Sequence, residues 1–92
     1  MRITKGNLER LADTINYATN SPMASYTKTE TSFKANPGNY HIDWAYGGCK
    51  LVRMCNEGGG ITIITNGFDT KRSLYYQMRA YLDGIREGMA SK

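Results

Sequence analysis

The sequence predicts one α+β domain of order α-β-β-β-β-α, an antiparallel meander with both helices packed on one face. Three observations predict it. Apolar residues recur at helical spacing near both ends, as Leu8, Leu11, Ala12 and Ile15 and again as Leu74, Met78, Leu82 and Ile85. Between them, residues 40–45 alternate apolar and polar, the period of a half-buried strand. Short threonine-rich or β-branched runs flank that segment, separated by Asn, Pro and Gly. A length of 92 residues supports one domain.

The first helix is predicted to start at Thr4, a residue whose hydroxyl can cap free backbone N–H groups. Ile3 and Leu8 occupy the positions of a hydrophobic staple around it. Ala18 completes the apolar stripe, and Asn20-Ser21-Pro22 ends the helix because the residue before proline avoids the α region. Residues 25–35 read as one polar, threonine-rich edge strand or arm, followed by the turn Asn36-Pro37-Gly38-Asn39.

In the next strand Tyr40, Ile42 and Trp44 share one face, and His41, Asp43 and Ala45 share the other. Tyr46-Gly47-Gly48 is read as a three-residue hairpin loop. That loop pairs Ala45 with Cys49 and His41 with Arg53, and sends Val52 and Met54 to the core face. A two-residue loop instead sends Leu51 and the cysteines there, because a one-residue slip exchanges the faces. The first register is preferred because it keeps Arg53 out of the core. Residues 56–60 form a glycine-rich connector, and residues 61–65 a short strand ended by Asn66-Gly67. Thr70 caps the last helix, which runs to about residue 87 with Leu74, Tyr75, Met78, Tyr81, Leu82, Ile85 and Met89 on one face. Gly84 lies inside it, at a cost of about 1 kcal/mol relative to alanine.

The net charge is +4, and the excess lies in the second half of the chain. That balance permits an acidic partner without the dense basic stripe of a strong nucleic-acid binder. The N-terminal residues lack the apolar stretch of a signal peptide, and no run reaches membrane-spanning length. A protein of the cytoplasm, without membrane contact, is expected. Cys49 and Cys55 match no zinc-binding spacing, and one histidine cannot complete a site. On one strand they would stand about 20 Å apart, too far for a disulfide. Two free thiols and no metal or cofactor are therefore expected.

Catalysis has few candidates. His41 is the single histidine, and the preferred register keeps Cys49 away from it. No catalytic residue is assigned. Gly58-Gly59-Gly60 lacks the Lys-Ser/Thr and the following helix of a phosphate loop, but can form a backbone nest for an anion. The last helix opens with Lys71-Arg72, where backbone N–H groups and cations favour phosphate. Seven tyrosines, among them Tyr75 and Tyr76, and arginines such as Arg79 and Arg53 are residue types that anchor protein interfaces or stack on bases. The candidate partner-binding set is thus Lys71, Arg72, Tyr75, Tyr76, Arg79, Arg53, His41 and Gly59. The sheet face with His41, Asp43, Leu51 and Arg53 is a candidate for a partner or for self-association into a dimer or higher oligomer.

Several segments together resemble small proteins of tailed bacteriophages. They are Gly38-Asn39-Tyr40-His41, Ala45-Tyr46-Gly47-Gly48, Leu51-Val52-Arg53-Met54, residues 56–60, residues 70–75 and residues 78–82. The resemblance implies a phage accessory protein in the host cytoplasm that binds and inhibits a host or defence factor, or sequesters a nucleotide. The element order, with a helix opened by Lys71-Arg72, is also similar in topology to a double-stranded-RNA-binding domain. Tyr75 departs from that motif, which usually continues with small or basic residues, and an extra strand is expected here. The leading expectation is a non-enzymatic phage binding protein acting through protein contacts. The alternative is a nucleic-acid or nucleotide binder using Lys71, Arg72 and the glycine loop.

Overall fold

Thr4 opens the first helix as its side chain requires. In a computed structural model of the chain, which describes residues 2–90 with the side chain of Ala90 excepted, its Oγ1 accepts from Asn7 N at 3.1 Å. Asn7 Oδ1 in turn accepts from Thr4 N at 2.8 Å, closing a capping box on α1 (Lys5–Ala18). Ile3 and Leu8 are both buried beside it, as a staple demands. At the other end Asn20 takes φ 55°, and the N–H groups of Asn20 and Ser21 reach back to Tyr17 and Asn16 carbonyls. This left-handed cap turns the chain before Pro22.

The remaining elements are β1 (Tyr26–Lys28), β2 (Phe33–Ala35), β3 (Tyr40–Ala45), β4 (Gly48–Met54), β5 (Ile61–Ile63) and α2 (Lys71–Ala90). The α+β class and the antiparallel pairing hold. The strand count differs from expectation, because the segment read as one strand folds back on itself as the β1–β2 ribbon. Its turn is closed by Thr29 N donating to Ser32 O at 2.7 Å and by Ser32 N donating to Thr29 Oγ1 at 3.0 Å. Hydroxyl groups there do what glycine and proline usually signal. The main sheet is β3-β4-β5.

The hairpin register is the two-residue one. Ala45 pairs with Gly48, Trp44 with Cys49, Ile42 with Leu51, His41 with Val52 and Tyr40 with Arg53. Tyr46 and Gly47 both have positive φ, 53° and 72°, the mark of a type I′ turn. Gly48 already belongs to the strand, because a Cβ there would lie 3.0 Å from Asp69 O. The expected Ala45–Cys49 and His41–Arg53 pairs are therefore wrong by one residue. Arg53 does lie on the helix side, but at the strand end. Its guanidinium sits 5.1 Å from the Tyr40 ring centre and donates to Gly38 O at 3.3 Å, with its side chain still exposed.

Cys49, Leu51 and Tyr40 form one core with Leu8, Leu11, Ala12 and Ile15 of α1 and Leu74, Met78 and Leu82 of α2. Both helices thus cover the same side of the sheet. Trp44 and Ile42 are only partly buried at its rim, so Trp44 is not the central core residue expected. Val52 and Met54 point away from the helices in this register and are nonetheless fully buried. The opposite sheet face is therefore closed around β4 rather than open, and Leu51 and Arg53 do not lie on it.

Two polar devices lock the layers. Asn16 is buried, donates to Tyr40 O at 2.9 Å and accepts from Tyr40 N at 2.7 Å, so α1 pairs with the free edge of β3. The Tyr40 and Tyr81 hydroxyls meet at 2.7 Å and tie β3 to α2. Burial and that hydrogen bond push the Tyr81 phenol up to about 12. Gly84 has no neighbour within 4 Å, so it serves no close packing. Among the described residues, no helix is long and apolar enough to cross a membrane.

Asn16→Ala strands both Tyr40 backbone groups and should cost about 2–4 kcal/mol in urea unfolding, given about 1–3 kcal/mol per unsatisfied buried group. The raised Tyr81 pKa sets an alkaline limit. Its contribution is complete below pH 10 and is lost as pH rises toward about 12. Urea midpoints measured below and above pH 10 should therefore fall more for the native chain than for Tyr81→Phe.

Candidate nucleic-acid interface

The chain after β5 keeps following β4. Ile64 N donates to Leu51 O at 2.9 Å, and Leu51 N donates to Thr65 Oγ1 at 3.1 Å, a hydroxyl standing in for a backbone acceptor. Cys49 and Asp69 then exchange both backbone hydrogen bonds at 2.9 Å. Residues 61–69 therefore run beside β4 and bring the start of α2 against the β3–β4 hairpin tip.

That start is tightly built. Thr70 Oγ1 accepts from Ser73 N at 3.1 Å, the predicted cap. Asp69 Oδ1 accepts from Thr70 N at 2.7 Å, and Oδ2 accepts from Ser73 Oγ at 2.7 Å and Gln77 Nε2 at 3.3 Å. The Ser73 hydroxyl, followed by the Thr70 amide, holds the Asp69 carboxyl below its usual range. A carboxylate of the chain itself thus fills the anion position at this helix end. The ligand-facing chemistry that remains is the side-chain charge around it.

Four of the twelve cationic side chains, Arg2, Lys5, Lys71 and Arg72, gather here. Arg2, Lys71 and Arg72 line one shallow groove with Ile3, Gly47 and Thr70. Lys71 also lines an adjoining recess with Trp44, Gly48, Cys49 and Asp69. Lys5 Nζ lies 5.4 Å from the Trp44 ring centre, and Lys50 Nζ lies 4.2 Å from that of Phe68. Lys50 lies on the opposite sheet face, where it pairs with Asp43 at 3.9 Å, and Lys5 pairs with Glu9 at 3.8 Å. The Lys5–Glu9 pair is exposed and weak.

Tyr46 stands at the apex. It is 94% exposed, with its ring set edge-on to Phe68 at 5.5 Å. A non-glycine residue in the left-handed region costs about 1 kcal/mol, and type I′ turns favour Asn-Gly. A tyrosine here is strained and solvated at once.

Of the residues singled out from the sequence, Lys71 and Arg72 belong to this surface. Tyr76 and Arg79 extend it, because positions 72, 76 and 79 fall on one exposed stripe of α2. Tyr75 is partly buried against the core, with its ring edge-on to that of Tyr76 at 5.8 Å. Arg53 lies at the far end of β4, about 20 Å away by strand rise. His41 lies on the opposite sheet side, 3.1 Å from Asn39 Oδ1. Burial lowers its pKa, partly offset by Asp43. Its recess includes Glu9 and Asp13, an acidic setting unsuited to phosphate.

Gly59 and the glycine loop do not offer a nest. Asn56 Oδ1 already accepts from Gly58 N and Gly60 N, both at 3.0 Å. A Cβ at Gly60 would collide with the Asn56 carboxamide, which explains that glycine. Cys49 is buried, and its Sγ donates to Asp69 O at 3.5 Å. Burial pushes the thiol up more strongly than Lys71 draws it down. His41 and Cys49 lie on opposite sheet faces, which leaves no nucleophile–base pair between them. Among the described residues no group of three or more His, Cys, Asp or Glu side chains could hold a metal.

Arg2, Lys5 and Trp44 are not among the site residues singled out from the sequence. Their separations along the chain carry no signal, and only the packing of two helix starts beside one hairpin tip assembles them. No protein-family model, curated protein or solved structure matches the chain.

Asp69 contributes stability above the ordinary carboxylate range, and that contribution is lost as pH falls toward its lowered pKa. Asp69→Asn should melt earlier than the native chain at neutral pH. The gap should close in acid, as read by circular dichroism melts across a pH series.

Proposed function

We propose that this chain is a non-enzymatic binding protein whose ligand is a nucleic acid or nucleotide, held through its phosphates. The observation that carries the reading is the groove lined by Arg2, Lys71 and Arg72. It is bordered by Lys5 on Trp44, and cations outnumber carboxylates along the groove and its adjoining recess. Phosphate neutralisation by such a cluster supplies affinity without sequence readout. The sequence resemblance to tailed-phage proteins is in keeping with such a role in an infected host cell.

The protein-contact reading is favoured by a different surface. Tyr26 and Phe33 lie on one face of the β1–β2 ribbon, and Phe33 is 68% exposed. Ile61 and Ile63 are exposed on the edge strand β5. A host or defence protein seated there would be held by apolar area, and its binding would resist salt.

Fluorescence anisotropy of labelled DNA oligonucleotides across a salt series separates the two. Under the phosphate reading, affinity falls steeply with salt, and Lys71→Ala with Arg72→Ala lowers the logarithmic salt slope by about 1–2. Emission from Trp44, the single tryptophan, should change on binding because it borders the groove. Salt-insensitive binding, or no binding by a folded protein, rejects the phosphate reading.

A further inference from the structure

Tyr46 is the least explained residue of the fold. Its backbone has φ 53°, in a turn position that asparagine fills with less strain. Its ring touches Phe68 alone among aromatic neighbours and is otherwise in water. Nothing in the core depends on it. Beside it, Gly47 lines the groove shared by Arg2, Lys71 and Arg72. An exposed aromatic ring one residue along the chain from a groove lined by three cations matches the needs of an unpaired base whose backbone lies in that groove. A duplex offers its outer surface as phosphate and sugar, with its bases already stacked on one another, so it cannot use that ring.

We infer that Tyr46 is a base-stacking platform and that the ligand is a single-stranded nucleic acid rather than a duplex. The inference rests on the phosphate reading above and names its ligand class. Phe68 packs against the ring in a T-shaped contact at 5.5 Å, and Lys50 lies over Phe68 at 4.2 Å. With Tyr46 94% exposed, most of the ring surface stays open to a base. Backbone strain is retained at a position where the aromatic ring serves the ligand and not the fold.

The probes are an oligothymidylate of about 15 nucleotides, within the span of known single-strand sites, and a DNA duplex of matched length. The native chain should prefer the single strand. Tyr46→Asn should weaken oligothymidylate binding by about 5- to 100-fold, the range of one lost base–aromatic stack. It should leave duplex binding unchanged. Tyr46→Phe should retain the single-strand affinity, since the ring and not the hydroxyl stacks. Because asparagine suits the turn, Tyr46→Asn should melt no lower than the native chain. Unchanged oligothymidylate affinity in Tyr46→Asn, or its earlier melting, overturns the stacking role. Loss of affinity in Tyr46→Phe does the same. If Lys71→Ala with Arg72→Ala binds both probes as the native chain does, the phosphate reading itself fails.

Discussion

The two-residue turn at Tyr46-Gly47 is the constraint on which the rest of the structure depends. Side chains alternate along a strand with period two, so the turn length decides which half of β4 meets the helices. With two residues in the turn, Cys49 and Leu51 enter the core beside Tyr40. Gly48 then lies flat against the Asp69 backbone, where a Cβ would crowd the carbonyl at 3.0 Å. The Cys49–Asp69 backbone pair follows from that approach. It delivers Thr70, Lys71 and Arg72 to the hairpin tip. Register, core and candidate site thus share one cause.

The polar groups of the interior serve layer alignment more than chemistry. Asn16 ties α1 to the β3 edge through both backbone groups of Tyr40. The Tyr40–Tyr81 hydroxyl pair does the same for α2. Such directional contacts select one arrangement among those that would bury the same apolar area. Asn16 also satisfies both backbone groups of Tyr40 at the start of the β3 edge, which would otherwise be left unpaired. β5 remains the exposed edge, with Ile61 and Ile63 at its surface.

The interface proposed here differs from a bare helix end. Thr70 Oγ1 takes the Ser73 amide and Asp69 takes the Thr70 amide, so a carboxylate already stands at the positive end of that helix. The positive field comes from long side chains borne by the first residues of the chain, the start of α1 and the start of α2. These can follow a flexible polyanion in ways that a rigid amide nest cannot. The glycine loop, by contrast, folds its amides onto Asn56 and keeps none for a ligand.

Helix identity was legible in the residues themselves, because caps and apolar periods are local. Thr4, Thr70 and the stripe Leu74, Met78 and Leu82 act as their positions imply. The α+β class and the side of the sheet taken by both helices followed from the same periods. The ribbon turn at Thr29–Ser32 was hidden because hydroxyl side chains close it without glycine or proline. The hairpin register was hidden because Gly47 and Gly48 are chemically identical. Only the close pass of Asp69, a contact across twenty residues of chain, assigns one to the turn and the other to the strand. The cationic groove was hidden for the same reason. Arg2 and Lys71 become neighbours only when two helices that start far apart in sequence pack side by side on one sheet.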